Sequence, residues 1–173
     1  MKYFLSAVSL FFLFGCSSSP KSKTDLYDKT IVCPYDTITD GASGIFLLVE
    51  NDSSSVGMRD KATGHYYSID SSHFIKFADI DTVYIDYVSE IKKHSMVINL
   101  SERGRQKFEK LTTEYIMREL GMVLNGELIV AAKILSPITG SEIALVMEKS
   151  KDRVMCLTRA VLRRVSLERS GLK

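Results

Sequence analysis

One internal stretch, residues 97–143, sets the order of elements for much of this chain. Just before and within it, Met96, Ile98 and Leu100 recur at every second position, the period of a strand with one buried face. Ser101 follows where a helix N-cap belongs, because its hydroxyl can accept a hydrogen bond from a backbone N–H of the next turn. The pattern therefore predicts a strand that passes directly into a capped helix.

An apolar stripe defines the helix that follows this cap. Its members are spaced three or four residues apart, except for one adjacent pair, and so share one face. They are Phe108, Leu111, Tyr115, Ile116 and Leu120. Gly121 stands where a helix stop is expected, because glycine readily adopts the left-handed conformation that ends many helices. We therefore predict a helix that runs up to Gly121.

Two turns come after the predicted helix. Asn125-Gly126 lies between two apolar runs and is the strongest short-range signal for a β-hairpin. Residues 136–140 are predicted to form a tight turn, because Pro137 fixes φ and Gly140 supplies conformational freedom. We expect the strand before the helix and the hairpin after it to share one sheet.

This order of motifs resembles the head subdomain of the first periplasmic domain of SecD, the membrane partner of the bacterial protein-export channel. The shared residues form a strand end, a Ser-Glu-x-Gly helix start, a Val-Leu-Asn-Gly hairpin and a Pro-Ile-Thr-Gly turn. They are Leu100, Ser101, Glu102, Gly104, Phe108, Leu111, Thr112, Val123, Leu124, Asn125, Gly126, Pro137, Ile138, Thr139 and Gly140. Ser141 departs from the pattern, in which a second Gly is usual. Because no transmembrane bundle follows, we expect a stand-alone domain; the resemblance implies that it engages polypeptide.

Periodicity elsewhere predicts further strands and one more helix. The strands are expected at 45–50, 56–60, 65–69, 83–88 and 143–147. A second helix is expected at 149–165, and its inward stripe consists of Val154, Leu157, Val161 and Val165. These elements predict an α+β fold, a mainly antiparallel sheet with two amphipathic helices packed on one face.

The chain divides into four predicted regions. Residues 1–16 are a signal peptide, 17–43 a polar tether and lead-in, 44–167 the α+β domain, and 168–173 a polar tail. The apolar run at 4–14 is too short to span a bilayer permanently and is typical of a secretion signal.

Cys16 ends a Leu-Phe-Gly-Cys sequence that resembles the lipobox of bacterial lipoproteins. We expect its thiol to be diacylated and to become the mature N-terminus, which would hold the domain on a membrane of the cell envelope. The alternative is an ordinary signal peptide with an incidental cysteine. Ser17 lacks the Asp that retains many lipoproteins in the inner membrane, so the outer membrane is favoured, with the domain in the periplasm. Export argues against a nucleic-acid partner.

Two other cysteines, Cys33 and Cys156, would meet an oxidising compartment after export. They could form one disulfide that ties the lead-in to the second helix. The alternative is two unpaired cysteines.

Charge is unevenly distributed along the chain. Residues 149–173 carry eight Lys/Arg and two Asp/Glu, a net charge of +6, whereas residues 17–148 carry a net charge of −5. A candidate basic face consists of Arg153, Arg159, Arg163 and Arg164. This face could contact anionic lipid or an acidic partner. The alternative is a solvated helix whose arginine stems cover apolar surface.

We find no constellation that would carry out catalysis. His65, His73 and His94 lie in or beside predicted turns and fall in no HExxH or Cys-x-x-Cys motif, so we expect surface histidines and no metal or other cofactor. Three carboxylates cluster near a strand start and are expected to be solvated. They are Asp79, Asp81 and Asp86.

The turn at 136–140 is a second candidate contact surface, made of Ser136, Pro137, Ile138, Thr139 and Gly140. Ile138 either is exposed at the tip as a recognition point or folds back onto the core. Our leading hypothesis is a non-catalytic, lipid-anchored envelope protein that binds unfolded or secreted polypeptide, or a component of the export machinery. The alternative is a structural or assembly lipoprotein that binds a folded envelope protein; an enzyme acting on envelope glycans or peptides is disfavoured.

Overall fold

The computed structural model describes residues 33–35, 37–39, 41–51, 57–61, 63–146 and 150–171. Its strands are β1 Gly44–Asn51, β2 Met58–Arg59, β3 Tyr66–Ile75, β4 Ile80–Val88, β5 Lys93–Leu100, β6 Glu119–Leu124, β7 Glu127–Lys133 and β8 Glu142–Val146. Its helices are α1 Glu102–Glu114 and α2 Lys151–Ser170, and a short 3₁₀ turn, Phe77–Asp79, precedes β4. The predicted signal peptide, with Cys16, lies outside the described residues.

The strands form two antiparallel sheets. One has the order β2-β3-β1-β6-β7 and the other β4-β5-β8. The buried residues of both helices join one hydrophobic core with the strands, so the α+β class is confirmed. The prediction that the strand before α1 and the hairpin after it share one sheet is wrong. The strand, β5, lies in the smaller sheet, whereas the β6–β7 hairpin lies in the larger one. The α1 helix carries the chain from one sheet to the other.

The β1 strand is the central strand of the larger sheet and is buried on both faces. Ile45 and Leu47 face the main core, which also holds the helices and the smaller sheet. Phe46 and Leu48 belong to a second apolar cluster on the opposite face. Burial on two faces explains why β1 is a continuous apolar run rather than an alternating one.

The α1 helix begins as predicted and ends earlier than predicted. Ser101 Oγ accepts a hydrogen bond from the N–H of Gly104 at 3.1 Å, which is the expected N-cap. The helix ends at Glu114, and both Leu120 and Gly121 lie in β6. Gly121 pairs with Phe46 of β1, and a Cβ there would lie 2.7 Å from Leu48 Cδ1. Its small size therefore serves strand packing and not a helix stop.

Two other local predictions agree with the structure, although α2 runs on to Ser170 where a polar tail was expected from residue 168. Asn125 and Gly126 have φ values of 54° and 79°, as a tight hairpin between β6 and β7 requires. The four residues of the predicted α2 stripe are buried: Val154, Leu157, Val161 and Val165. This stripe holds α2 against β4 and β5.

Candidate functional site

An apolar cleft lies where the two sheets meet. Its enclosed space is about 20 Å³, roughly the room for one water molecule, and reaches about 310 Å³ only when the open solvent at its mouth is included. The larger sheet, the smaller sheet and α1 all supply lining residues: Ile45, Phe108, Leu120, Gly121, Met122, Val130, Ala132, Ile143 and Leu145. Because every lining residue is apolar or glycine, the mouth of the cleft is an apolar surface that offers no side-chain hydrogen bonds.

Two edge strands, β7 and β8, each contribute two residues to the lining of this cleft. Within the described part of the chain, β7 pairs only with β6 and β8 pairs only with β5, so each has an open outer edge. Between their terminal residues neither strand carries a charge or a proline. Those are the features that usually block pairing at a sheet edge. The open edges therefore remain able to pair with an added strand.

The start of β7 is partly covered, which limits where such pairing can occur. Lys61 Nζ lies 2.6 Å from Glu127 Oε1, at the beginning of the strand. The β2 strand also contacts β7. The open part of the β7 edge is therefore its second half, where Val130 and Ala132 line the cleft.

The predicted contact turn, residues 136–140, connects β7 to β8 at one end of the cleft. Ile138 is only 9% exposed, and its N–H donates a hydrogen bond to Thr112 Oγ1 at 3.0 Å. Of the two alternatives for Ile138, folding back onto the core is therefore the one observed. Ser136, Pro137 and Thr139 are exposed, and Gly140 is half-buried.

The arginines of the candidate basic face hold the lead-in against α2. Arg153 donates to the hydroxyl of Tyr35 at 3.4 Å, and Arg164 donates to the carbonyl oxygens of Thr39 and Gly41 at 3.1 and 3.3 Å. Arg159 and Arg163 also have interaction partners. Part of the predicted face is thus used within the molecule, and its contact with lipid or an acidic partner stays a prediction.

The lead-in is also bonded covalently to α2. Cys33 and Cys156 form a disulfide in this structure, with their Cα atoms 5.4 Å apart. Both residues are buried in the main core. Further along, Asn125 Nδ2 donates to the carbonyl of Thr37 at 2.8 Å. The lead-in is therefore fixed to α2 at one end and to the β6–β7 hairpin at the other.

Asp79 is not solvated, contrary to the expectation for the carboxylate cluster. Its side chain is fully buried, and it accepts hydrogen bonds from Arg103 Nε at 2.6 Å and Lys107 Nζ at 2.8 Å. Burial alone would raise the pKa of Asp79, but the bonds from Lys107 and Arg103 outweigh it and hold that pKa below its usual value. The ion pairs fix the 3₁₀ turn to α1.

His73 is half-buried and joins two elements. A bulge in β3 places residues 71–73 out of register with β1, so that His73 reaches the end of α1. Its Nδ1 lies 2.9 Å from Asp70 Oδ2, and its Nε2 lies 2.8 Å from the hydroxyl of Tyr115. Hydrogen bonds from His73 and from the N–H of Ser72 hold the pKa of Asp70 below its usual value. His65 is exposed, and His94 packs against the ring of Tyr87.

Among the residues described above, no three His, Cys, Asp or Glu side chains group so as to hold a metal ion. No helix in the same part of the chain has the length and apolar character needed to cross a bilayer.

Fold and cleft together define a two-sheet α+β domain with an apolar cleft between open strand edges. The family model described as "SecDF, P1 head subdomain" matches residues 53–167. The chain therefore belongs to the family of SecDF P1 head subdomains, as its sequence motifs indicated. No curated protein matches it.

Solved structures of SecDF share the fold. A crystal structure of SecDF in its super-membrane-facing form has a TM-score of 0.52 at 14% identity, and the match covers 71% of this chain and 19% of that one. A second structure, of a membrane component SecDF that enhances protein export, has a TM-score of 0.50 at 16% identity, covering 72% and 64%. This chain spans less than two thirds of the length of either SecDF chain.

Proposed function

We propose that this chain is a lipid-anchored, non-catalytic protein of the bacterial cell envelope whose head domain binds extended polypeptide during protein export. The observation that carries the proposal is the apolar cleft between the open edges of β7 and β8. Membership of the SecDF head family supports the link to export, since a similar SecDF structure is that of a component that enhances protein export.

Strand addition is the binding mode that this cleft favours. An extended chain would form backbone hydrogen bonds with the open edge of β8 or of the second half of β7. Every second side chain of the bound strand would then lie against the apolar mouth of the cleft. Because main-chain hydrogen bonds supply affinity whatever the side chains are, the site would accept many sequences with apolar residues at alternate positions.

Fluorescence anisotropy with labelled peptides tests this mode. The probe is a peptide of alternating valine and threonine, and the reference is the same peptide with proline at every third position, which cannot pair along an edge. We expect the full chain to bind the first peptide at least tenfold more tightly than the second. Equal affinity for the two peptides would contradict strand addition.

A matched pair of variants on one strand locates the site. Val130 lines the cleft, whereas Ala131 packs against the second apolar cluster on the opposite face; both are half-buried. Val130→Lys should abolish peptide binding, while Ala131→Lys should preserve it if both variants keep the wild-type circular dichroism.

The alternative, an assembly role, predicts a different result. The protein would then co-purify with a folded envelope protein in a fixed ratio and would bind neither peptide.

The proposed anchor is tested separately at Cys16. Metabolic labelling with an alkyne analogue of palmitate should label the wild-type chain and not Cys16→Ser. Fractionation should then place the wild type with membranes, the outer membrane being favoured, and release the variant into the periplasm. Labelling of neither protein would remove the lipid anchor from the proposal and leave peptide binding untouched.

A further inference from the structure

Two loops at one end of the larger sheet present an exposed apolar patch, formed by Ile116, Met117 and Leu135. Their exposed fractions are 44%, 60% and 67%, and the last two are the highest among the large apolar side chains of the described residues. Ile116 belongs to the stripe that predicted an inward helix face, but α1 ends at Glu114 and leaves it outside the core.

Backbone hydrogen bonds hold the two loops together. The N–H of Met117 donates to the carbonyl of Ile134 at 2.8 Å, and the N–H of Ile134 donates to the carbonyl of Arg118 at 2.8 Å. The N–H of Arg118 also donates to the carbonyl of Tyr115 at 3.1 Å. The loop patch is therefore a fixed projection of the sheet end.

Met117 has a φ of 68°, in the left-handed region that glycine adopts without steric cost. A methionine there makes the turn harder to form. Its side chain is mostly exposed, so packing within the described part of the molecule does not offset that cost. Contact with an external apolar medium would offset it.

The patch is flanked by two cations. Arg118 and Lys133 are exposed, and neither side chain has an ion pair or hydrogen bond within the described part of the chain. Two carboxylates lie nearby: Glu119 is the cross-strand neighbour of Lys133, and Glu114 lies 3.8 Å from Lys110. The surface around the patch therefore carries Arg118, Lys133 and Lys110 against Glu114 and Glu119, a formal net charge of +1.

We propose that the loop patch inserts into the surface of an anionic bilayer. The three aliphatic side chains would enter the hydrocarbon region of the bilayer. The exposed cations Arg118 and Lys133 would then lie among the anionic headgroups. The inference rests on the proposed anchor at Cys16. Cys16 precedes Cys33 by 17 positions, and a chain of that length spans at most about 60 Å, so an acylated Cys16 would keep the domain near the bilayer.

Tryptophan fluorescence tests the insertion, because the chain contains no Trp. Full-length Leu135→Trp is reconstituted into phosphatidylglycerol vesicles that contain brominated lipid, and the floated fraction is measured. Tyr87→Trp is the control, since Tyr87 is 50% exposed on β4 of the other sheet. We expect a blue shift and at least twofold quenching at position 135, and neither at position 87.

Two further changes, made in the Leu135→Trp chain, separate contact from folding. Arg118→Glu with Lys133→Glu should abolish the quenching. Met117→Gly should also weaken it while leaving the melting temperature unchanged or higher, because glycine relieves the left-handed turn. If the protein floats with the vesicles but quenching is equal at positions 135 and 87, the insertion proposal is wrong and the proposed lipid anchor is retained. Chains that fail to float would overturn both.

Discussion

The guanidinium Nε of Arg103 lies 2.6 Å from Oδ1 of Asp79, whose side chain has no exposed surface. Lys107 donates to the other carboxylate oxygen at 2.8 Å. We expect Asp79→Asn to lower the free energy of unfolding by about 2 kcal/mol at pH 7, the usual contribution of hydrogen bonds to a charged group. Urea unfolding followed by circular dichroism measures the change.

The effect of Asp79→Asn should depend on pH. Because the pKa of Asp79 is lowered in the folded protein, its stabilisation is complete above the pKa of an unfolded Asp, about 3.9. It is lost as the pH falls through the lower, folded value. The difference between wild type and variant should therefore be full at pH 7 and shrink below pH 4. A difference that stays constant down to pH 2 would contradict this account.

Asp81→Asn is the matched control for Asp79. The Asp81 side chain is 59% exposed, and Oδ1 lies 2.8 Å from Arg169. Ion pairs at the surface contribute about 0–1 kcal/mol, so this variant should unfold close to the wild type.

Gly104→Ala should destabilise the protein although alanine favours helices. A Cβ at Gly104 would overlap the carbonyl oxygen of Asp79, a backbone atom that cannot rotate away. We expect a loss of about 2 kcal/mol, within the range for overpacked sites. Gly121→Ala should be milder, since its Cβ would meet only the ends of the Leu48 and Leu128 side chains. Equal losses in urea unfolding would show that backbone overlap is not the cause.

Breaking the bond between Cys33 and Cys156 should destabilise the fold. The two residues are 123 positions apart, so the cross-link restricts a long loop of the unfolded chain. Reduction should lower the free energy of unfolding by about 2–5 kcal/mol. The double variant Cys33→Ser/Cys156→Ser should start at the lower value and show no response to reductant. If reductant does not change the free energy of unfolding of the wild type, the two cysteines are unpaired in solution.

The two helix caps should differ in strength. Ser101 Oγ accepts from Gly104 N–H at 3.1 Å and donates to the carbonyl of Asp79 at 3.0 Å. Ser150 Oγ accepts from Arg153 N–H at 3.4 Å and is exposed. Ser101→Ala should therefore cost about 1–2 kcal/mol and Ser150→Ala about 0.5 kcal/mol, as thermal unfolding can measure. A larger loss for Ser150→Ala than for Ser101→Ala would argue that the hydrogen bond from Ser101 to the carbonyl of Asp79 adds no stability.

Features whose partners are close in sequence could be predicted from the sequence. Ser101 caps a group three residues away, and the hairpin at Asn125-Gly126 depends on two φ values. The fold class followed from periodicity and from the family motifs. At these positions the contacts with distant parts of the chain agree with the local signals.

The incorrect predictions concern residues whose environment is set by other elements of the fold. Leu120 continues a helical spacing, yet it pairs with Leu47 of β1, far earlier in the chain. Asp79 is buried because Arg103 and Lys107 approach it from α1. The cleft draws its lining from β1, α1, β6, β7 and β8, so no single sequence window contains it.

The attachment of the lead-in to α2 has a mechanical consequence. A force applied at the N-terminus would be transmitted through the disulfide between Cys33 and Cys156 to α2, because Cys33 precedes β1 in the chain. The load would pass into a helix of twenty residues whose apolar stripe is fully packed. Tension on the tether would therefore move the whole body, rather than unzip its central strand.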